Sequence, residues 1–182
     1  MATLVYSLGV SLDGFVEDET GAFDWSAPDA EVHRLANAQA QAAQAFLFGR
    51  RMYETMEPYW PGAVDAEEPI EREFARAYVA RPRIVFSDTL DEVGAGCRLV
   101  RSADARAEIA RLKRQPGGHL DLGGATLAAS VVDLIDEFRM WVVPVVVGAG
   151  KRYLPPQRLD LRLLESRTFA SGTLWLRYGR RS

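Results

Sequence analysis

One pattern constrains this chain more than any other: a short apolar strand runs into glycine and straight out into a helix, and it does so twice. Residues 45–48 read as a buried strand, Gly49 follows, and Arg50-Arg51 opens a helical stretch over 50–56 that Pro58 ends. Residues 119–122 read as a second strand, Gly123-Gly124 follows, and Ala125-Thr126-Leu127 opens a helical pattern over 125–135. Alternation of strand and helix argues for an α/β sheet with helices on both faces.

The rest of the chain fits that frame. Residues 4–12, 83–86, 98–100 and 138–147 read as strands, and 70–80 and 103–114 as helices. The Ala/Gln run from 36 to 45 is rich in helix formers, so it reads as the end of a helix that starts near Pro28, with Asp29 and Glu31 in its first turn, where carboxylates suit the helix dipole. Residues 161–170 and 173–179 read as strands joined at Ser171-Gly172, a tight hairpin. That hairpin adds an antiparallel edge, so the sheet is expected to be mixed.

Composition narrows the function classes. At 182 residues the chain suits one domain, spanning 1–182. Its 22 Lys and Arg against 25 Asp and Glu give a net charge of −3, without the basic surplus that marks general nucleic-acid binding. Cys97 is the lone cysteine and the two histidines lie far apart, so a Cys/His zinc set lacks ligands. No metal is expected. The longest apolar stretch, 140–147, is short of the ~20 residues that span a bilayer. The start carries no basic region or long apolar run, so a cytoplasmic protein with no membrane partner is the expectation.

The two glycine turns are where chemistry is expected, because ligands of open α/β sheets bind at the carboxyl ends of strands. Free N–H groups at a helix start attract phosphate, and glycine lets an anion approach the backbone. Arg50 and Arg51 add guanidinium groups, which suit phosphate. One such turn is more often a simple connection. Two together suit a dinucleotide, which has several phosphates to anchor.

Four segments resemble a known family. They are Ser11-Leu12-Asp13-Gly14-Phe15, with Trp25 at the matching distance; Phe48-Gly49-Arg50-Arg51-Met52-Tyr53-Glu54; Gly123-Gly124-Ala125-Thr126-Leu127; and Leu134-Ile135-Asp136-Glu137-Phe138, followed by Val143-Pro144-Val145-Val146-Val147-Gly148-Ala149-Gly150. In this order they resemble the dihydrofolate reductase-like superfamily, and within it the C-terminal reductase domain of the riboflavin-biosynthesis deaminase-reductase. The resemblance implies a mixed, mostly parallel eight-stranded sheet with flanking helices, NADPH as hydride donor, a small-molecule substrate and a homodimer. It implies Gly49, Arg50 and Arg51 at the adenosine-phosphate end, with Ser87 near the same 2′-phosphate, and Gly123, Gly124, Ala125, Thr126 and Leu127 around the pyrophosphate. It also implies that Asp13 faces the substrate as the catalytic carboxylate, with Ser11, Trp25 and Pro144 lining the pocket.

The residues alone allow other readings. Asp13 before Gly14 is equally a turn former, and Trp25 reads as a packing residue at the cleft edge. Asp136-Glu137 reads as a solvated pair. The region around Trp25 holds Asp24, Asp29 and Glu31, with only Arg34 basic nearby. An acidic lip repels a phosphate, which argues against the ribosyl-phosphate substrate of the riboflavin pathway. Reduction of dihydrofolate or another pteridine is the alternative activity. A non-catalytic nucleotide-binding module is the alternative from another class.

Overall fold

A computed structural model describes residues 1–181. In chain order the elements are β1 (Thr3–Ser11), β2 (Phe15–Asp18), α1 (Ala30–Ala42), β3 (Ala43–Gly49), α2 (Arg50–Met56), α3 (Pro69–Val79), β4 (Arg83–Phe86) and β5 (Cys97–Val100). They continue with α4 (Ala105–Lys113), β6 (His119–Gly123), α5 (Ala125–Ser130), β7 (Glu137–Val143), β8 (Gly150–Arg152), β9 (Leu161–Thr168) and β10 (Leu174–Arg180). Eight strands form one sheet in the order β5-β4-β3-β6-β1-β7-β10-β9. The pairs from β5 through β7 are parallel, and β10 runs antiparallel to both β7 and β9. The mixed, mostly parallel sheet with a terminal hairpin is therefore present. Among the described residues no helix is long and apolar enough to cross a membrane.

The period-2 alternation of strands builds two cores from one sheet. In β3, Ala45 and Leu47 pack with Ile109 of α4 and Ala128 of α5. Phe46 and Phe48 point the other way, to Ala40 of α1 and Tyr78 of α3. Leu47 is wholly removed from solvent, a burial that contributes about 1.5–3 kcal/mol. Towards the hairpin the second face continues as Val32, Trp141, Phe169 and Trp175.

Three elements differ from the sequence reading, each for a physical reason. The first helix stops at Ala42 instead of 45. Asp29 caps it by accepting the Glu31 and Val32 amides at 2.8 Å each. Ala43 and Ala45 are instead drawn into β3, opposite His119 and Leu120 of β6, so sheet pairing overrides the helix propensity of alanine. The helix expected over 125–135 ends at Ser130, where Val131 leaves the helical region with φ −126° and ψ 22° and a 3-10 turn, Val132–Leu134, follows. The strand expected over 138–147 ends at Val143, one residue before Pro144, which has no N–H to offer the ladder. Leu12 N–H then reaches past it to the Val145 carbonyl at 2.7 Å.

Of Asp136 and Glu137, read as a solvated pair, Asp136 is exposed and Glu137 is buried. Asp136 accepts the Leu4 amide at 2.8 Å and pairs with Lys113. Glu137 is buried between Arg139 and Arg177.

A second, two-stranded antiparallel sheet of β2 and β8 is absent from the sequence reading. Its strands of four and three residues are too short to show alternation. Gly150 makes it possible: φ is +143°, and a Cβ there would lie 2.0 Å from the Glu17 carbonyl oxygen.

Candidate active site

The two glycine turns meet because their strands are neighbours. β3 and β6 pair in parallel with Phe48 opposite Gly123, so both strands deliver their helices to the same edge of the sheet. Gly124 has a φ of +104°, which glycine adopts without cost, and a Cβ there would stand 3.8 Å from the Gly49 nitrogen. No side chain caps the first turn of α2 or α5, so those amides are left to a ligand or water.

A cleft of about 740 Å³ opens over these turns, within the size range of small-molecule sites. It brings together Gly49, Arg50, Arg51, Ser87, Gly124, Ala125, Thr126 and Leu127 from the sequence reading. Gly123 sits behind it: a Cβ there would meet Met52 Cγ at 3.0 Å and the Phe48 ring at 3.1 Å, so this glycine serves packing. The Ser87 hydroxyl accepts the Thr89 and Leu90 amides at 3.1 Å each, shaping the turn after β4. Thr89 and Ser102 add hydroxyls to this wall. Asp88 between them accepts the Ser102 amide, and that bond holds its carboxyl below the usual range. The strand-end rule points directly at Ser87-Asp88-Thr89; only Ser87 was singled out in the sequence.

Ser11, Asp13, Trp25 and Pro144 are not among the residues that line this cleft. Asp13 is a clasp. It accepts the Ser11 hydroxyl at 2.7 Å, the Gly148 amide at 2.8 Å and the Val147 amide at 3.2 Å. The Ser11 hydroxyl first, then the two amides, hold its carboxyl below the ordinary value. Ser11 Oγ in turn accepts the Phe15 amide at 2.9 Å. A carboxylate so committed acts as an acceptor and has no proton to give at neutral pH. Trp25 is half-buried in a 3-10 turn, Asp24–Ser26, whose neighbours Phe23 and Ser26 line the cleft in its place. Pro144 is exposed and lies against the hairpin turn, 3.5 Å from where a Gly172 Cβ would be.

The small β2/β8 sheet forms a flap that borders the cleft and contributes Val16, Glu17 and Lys151. Glu17 Oε1 pairs with Lys151 Nζ at 2.7 Å and with Arg51 Nη1 at 3.0 Å, tying the flap to the start of α2. Nothing in the sequence signals this trio, since Glu17 and Lys151 meet only through a sheet that has no pattern of its own. Among the described residues no cluster of His, Cys, Asp and Glu is arranged to hold a metal ion.

Strand order, hairpin and paired glycine turns define the dihydrofolate reductase-like fold. The dihydrofolate reductase of Enterococcus faecalis, solved with NADP(H), superposes with a TM-score of 0.64 at 12% identity, covering 99% of this chain and 97% of that one. Within this fold the chain belongs to the RibD C-terminal domain family, whose pattern it matches over residues 2–175. It is similar to YyaP of Bacillus subtilis (strain 168), an uncharacterized protein, with 31% identity over 96% of this chain and 93% of that one. A Shewanella sp. PV-4 protein of proposed riboflavin-biosynthesis function superposes with a TM-score of 0.71 at 23% identity, over the full length of both chains. The Thermotoga maritima diaminohydroxyphosphoribosylaminopyrimidine deaminase/5-amino-6-(5-phosphoribosylamino)uracil reductase does so with a TM-score of 0.69 at 13% identity. This chain aligns over 99% of its own length with 57% of that bifunctional protein.

Proposed function

We propose that the chain is an NADPH-dependent reductase of a small molecule, with the cofactor lying across the two glycine turns. The observation that carries this reading is the juxtaposition of Gly49 and Gly124 beneath a cleft that also collects Arg50 and Arg51, in a family and fold populated by reductases. The residues fit the cofactor. Guanidinium groups and uncapped amides suit its phosphates, and the hydroxyls of Ser87, Thr89 and Ser102 suit an adenosine ribose.

NADPH, when bound, supplies a hydride, and water supplies the accompanying proton. The chain's own part is to hold and orient. Arg50 gives up Glu54, 3.0 Å away on the exposed face of α2, to meet phosphate. Gly124 leaves the backbone open at the turn. Leu8, Gly9 and the flap border the cleft beyond the turns.

Calorimetry with NADP⁺ and NADPH tests the reading, followed by NADPH oxidation across aminopyrimidines, pteridines and quinones. Micromolar binding with a preference over NAD⁺ and NADH, and oxidation with at least one substrate class, are expected. No binding at millimolar cofactor overturns the reading. Binding with no turnover on any class makes the chain a nucleotide-binding module.

A further inference from the structure

We propose that the substrate end of this cleft takes a flat, uncharged, N–H-bearing ring without a phosphate, and that Glu17 enforces the exclusion. The proposal rests on the reading of the other end as the NADPH site.

Charge makes the first argument. The cations that line the cleft are Arg50, Arg51 and Lys151, and the carboxylates are Glu17 and Asp88. Three cations against two carboxylates leave one net positive charge, while the cofactor brings three phosphate groups. A further phosphate would enter a field already negative. Glu17 sharpens this. It stands between the two cations nearest the flap, at 2.7 Å from Lys151 Nζ and 3.0 Å from Arg51 Nη1. Its side chain is only 16% exposed while Lys151 is 32% and Arg51 57% exposed, so the carboxylate is fixed in place and the Arg51 contact is the more solvent-screened of the two.

The lining makes the second argument. Leu8, Val16, Phe23 and Met56 belong to the apolar lining of the cleft, which we assign to this end, and Phe23 is 43% exposed, an aromatic face free to stack on a ring. The neutral polar groups here are the hydroxyls of Ser26 and Thr55. Each already spends its proton inside the protein: Ser26 Oγ donates to the Phe23 carbonyl at 2.7 Å, and Thr55 Oγ1 to the Arg51 carbonyl at 2.9 Å. What they offer a ligand is lone pairs. The matching substrate edge carries N–H donors.

The test uses three aminouracils that differ stepwise: 5,6-diaminouracil, 5-amino-6-(ribosylamino)uracil and the 5-phosphoribosyl form. Each is titrated calorimetrically into the full chain, with and without saturating NADP⁺. Wild-type protein is expected to bind at least one phosphate-free member, and to bind it at least tenfold more tightly than the phosphorylated one. Glu17→Gln frees Arg51 and Lys151 and should raise affinity for the phosphorylated member at least tenfold; NADP⁺ binding by the variant reports that it is folded. Equal or tighter binding of the phosphorylated form by wild type overturns the exclusion. So does failure of both phosphate-free members to bind. An unchanged preference in a folded Glu17→Gln overturns the assignment of Glu17. Absence of NADP⁺ binding instead counts against the cofactor site, and the cofactor-free titrations of wild type and Glu17→Gln then test the assignment of Glu17 alone.

Discussion

The Asp13 carboxylate stands 2.8 Å from the Gly148 amide nitrogen, and this bond joins the turn after β1 to the segment that leads into β8. A second link runs beside it, from the Tyr153 amide to the Gly14 carbonyl at 3.0 Å. Together they seat the flap that carries Glu17 and Lys151.

Replacing Asp13 therefore acts through the flap. Asp13→Asn and Asp13→Ala should both lower the melting temperature by several degrees and weaken kcat/KM. The shape of the pH–rate profile should stay the same. Loss of an entire limb of that profile in Asp13→Asn would show that Asp13 exchanges a proton with substrate. The sign of the stability effect follows from the depressed carboxyl: its contribution is present above the ordinary value of 3.8 and is lost as pH falls through the lower folded value.

Gly124 is a conformational requirement and Gly123 a steric one. Gly124→Ala places a side chain at a φ of +104° with ordinary contacts around it, so its cost is backbone strain of about 1–3 kcal/mol. Urea unfolding should read that loss, and NADP⁺ affinity should fall at least tenfold as the turn relaxes. Gly123→Ala pushes on Met52 and Phe48 and should affect stability more than cofactor affinity. The reverse ranking would mean that Gly123, not Gly124, meets the ligand.

The sequence made the frame legible because the frame is repetitive. Both strand-glycine-helix turns, the hairpin at Ser171-Gly172 and the parallel-antiparallel mixture all follow from local pattern. So does the convergence of Gly49, Arg50, Arg51 and Gly124 to Leu127 on one cleft, because strand ends and glycines mark where such turns meet. The flap was invisible, since its two strands pair residues far apart in sequence with too few positions to alternate. Asp13 and Pro144 were singled out by motif, yet their surroundings depend on long-range partners, Gly148 and the Gly172 turn, that no local pattern records.

Arg50 and Arg51 should behave differently although they are adjacent. Arg50 is held by Glu54 four residues on, both about half exposed, a pair worth about 0.3–0.5 kcal/mol and readily exchanged for a phosphate. Arg50→Ala should therefore weaken NADPH at least tenfold more than NADH. Arg51→Ala also releases Glu17, leaving it to Lys151 alone, and should weaken both cofactors with less discrimination. Equal loss for NADPH and NADH in Arg50→Ala would remove it from the 2′-phosphate. Fluorescence titration of each reduced cofactor measures both.

His119 and Asp121 lie two residues apart on β6 and so face the same side of the sheet, near Arg139. Burial first, then Arg139, depresses the His119 imidazole to about 4, and its Nε2 has no partner among the described residues. Burial raises the Asp121 carboxyl to about 6, against the pull of Arg139. The two act in opposite directions over the same range. Between pH 4 and 6.5 the unfolded chain protonates His119 and the folded one does not, so acid destabilises through this residue. Between 3.8 and 6 the folded chain keeps a proton on Asp121 that the unfolded one releases, so acid stabilises through that one. Each slope approaches ~1.4 kcal/mol per pH unit at its steepest, and in wild type the pair largely cancels. Asp121→Asn should unmask the histidine: from pH 4.5 to 6.5 its urea midpoint should rise, relative to wild type, by an amount equivalent to about 2 kcal/mol. His119→Asn should tilt the profile the other way. Parallel profiles for wild type and Asp121→Asn would show that the carboxyl titrates alike in the folded and unfolded chains.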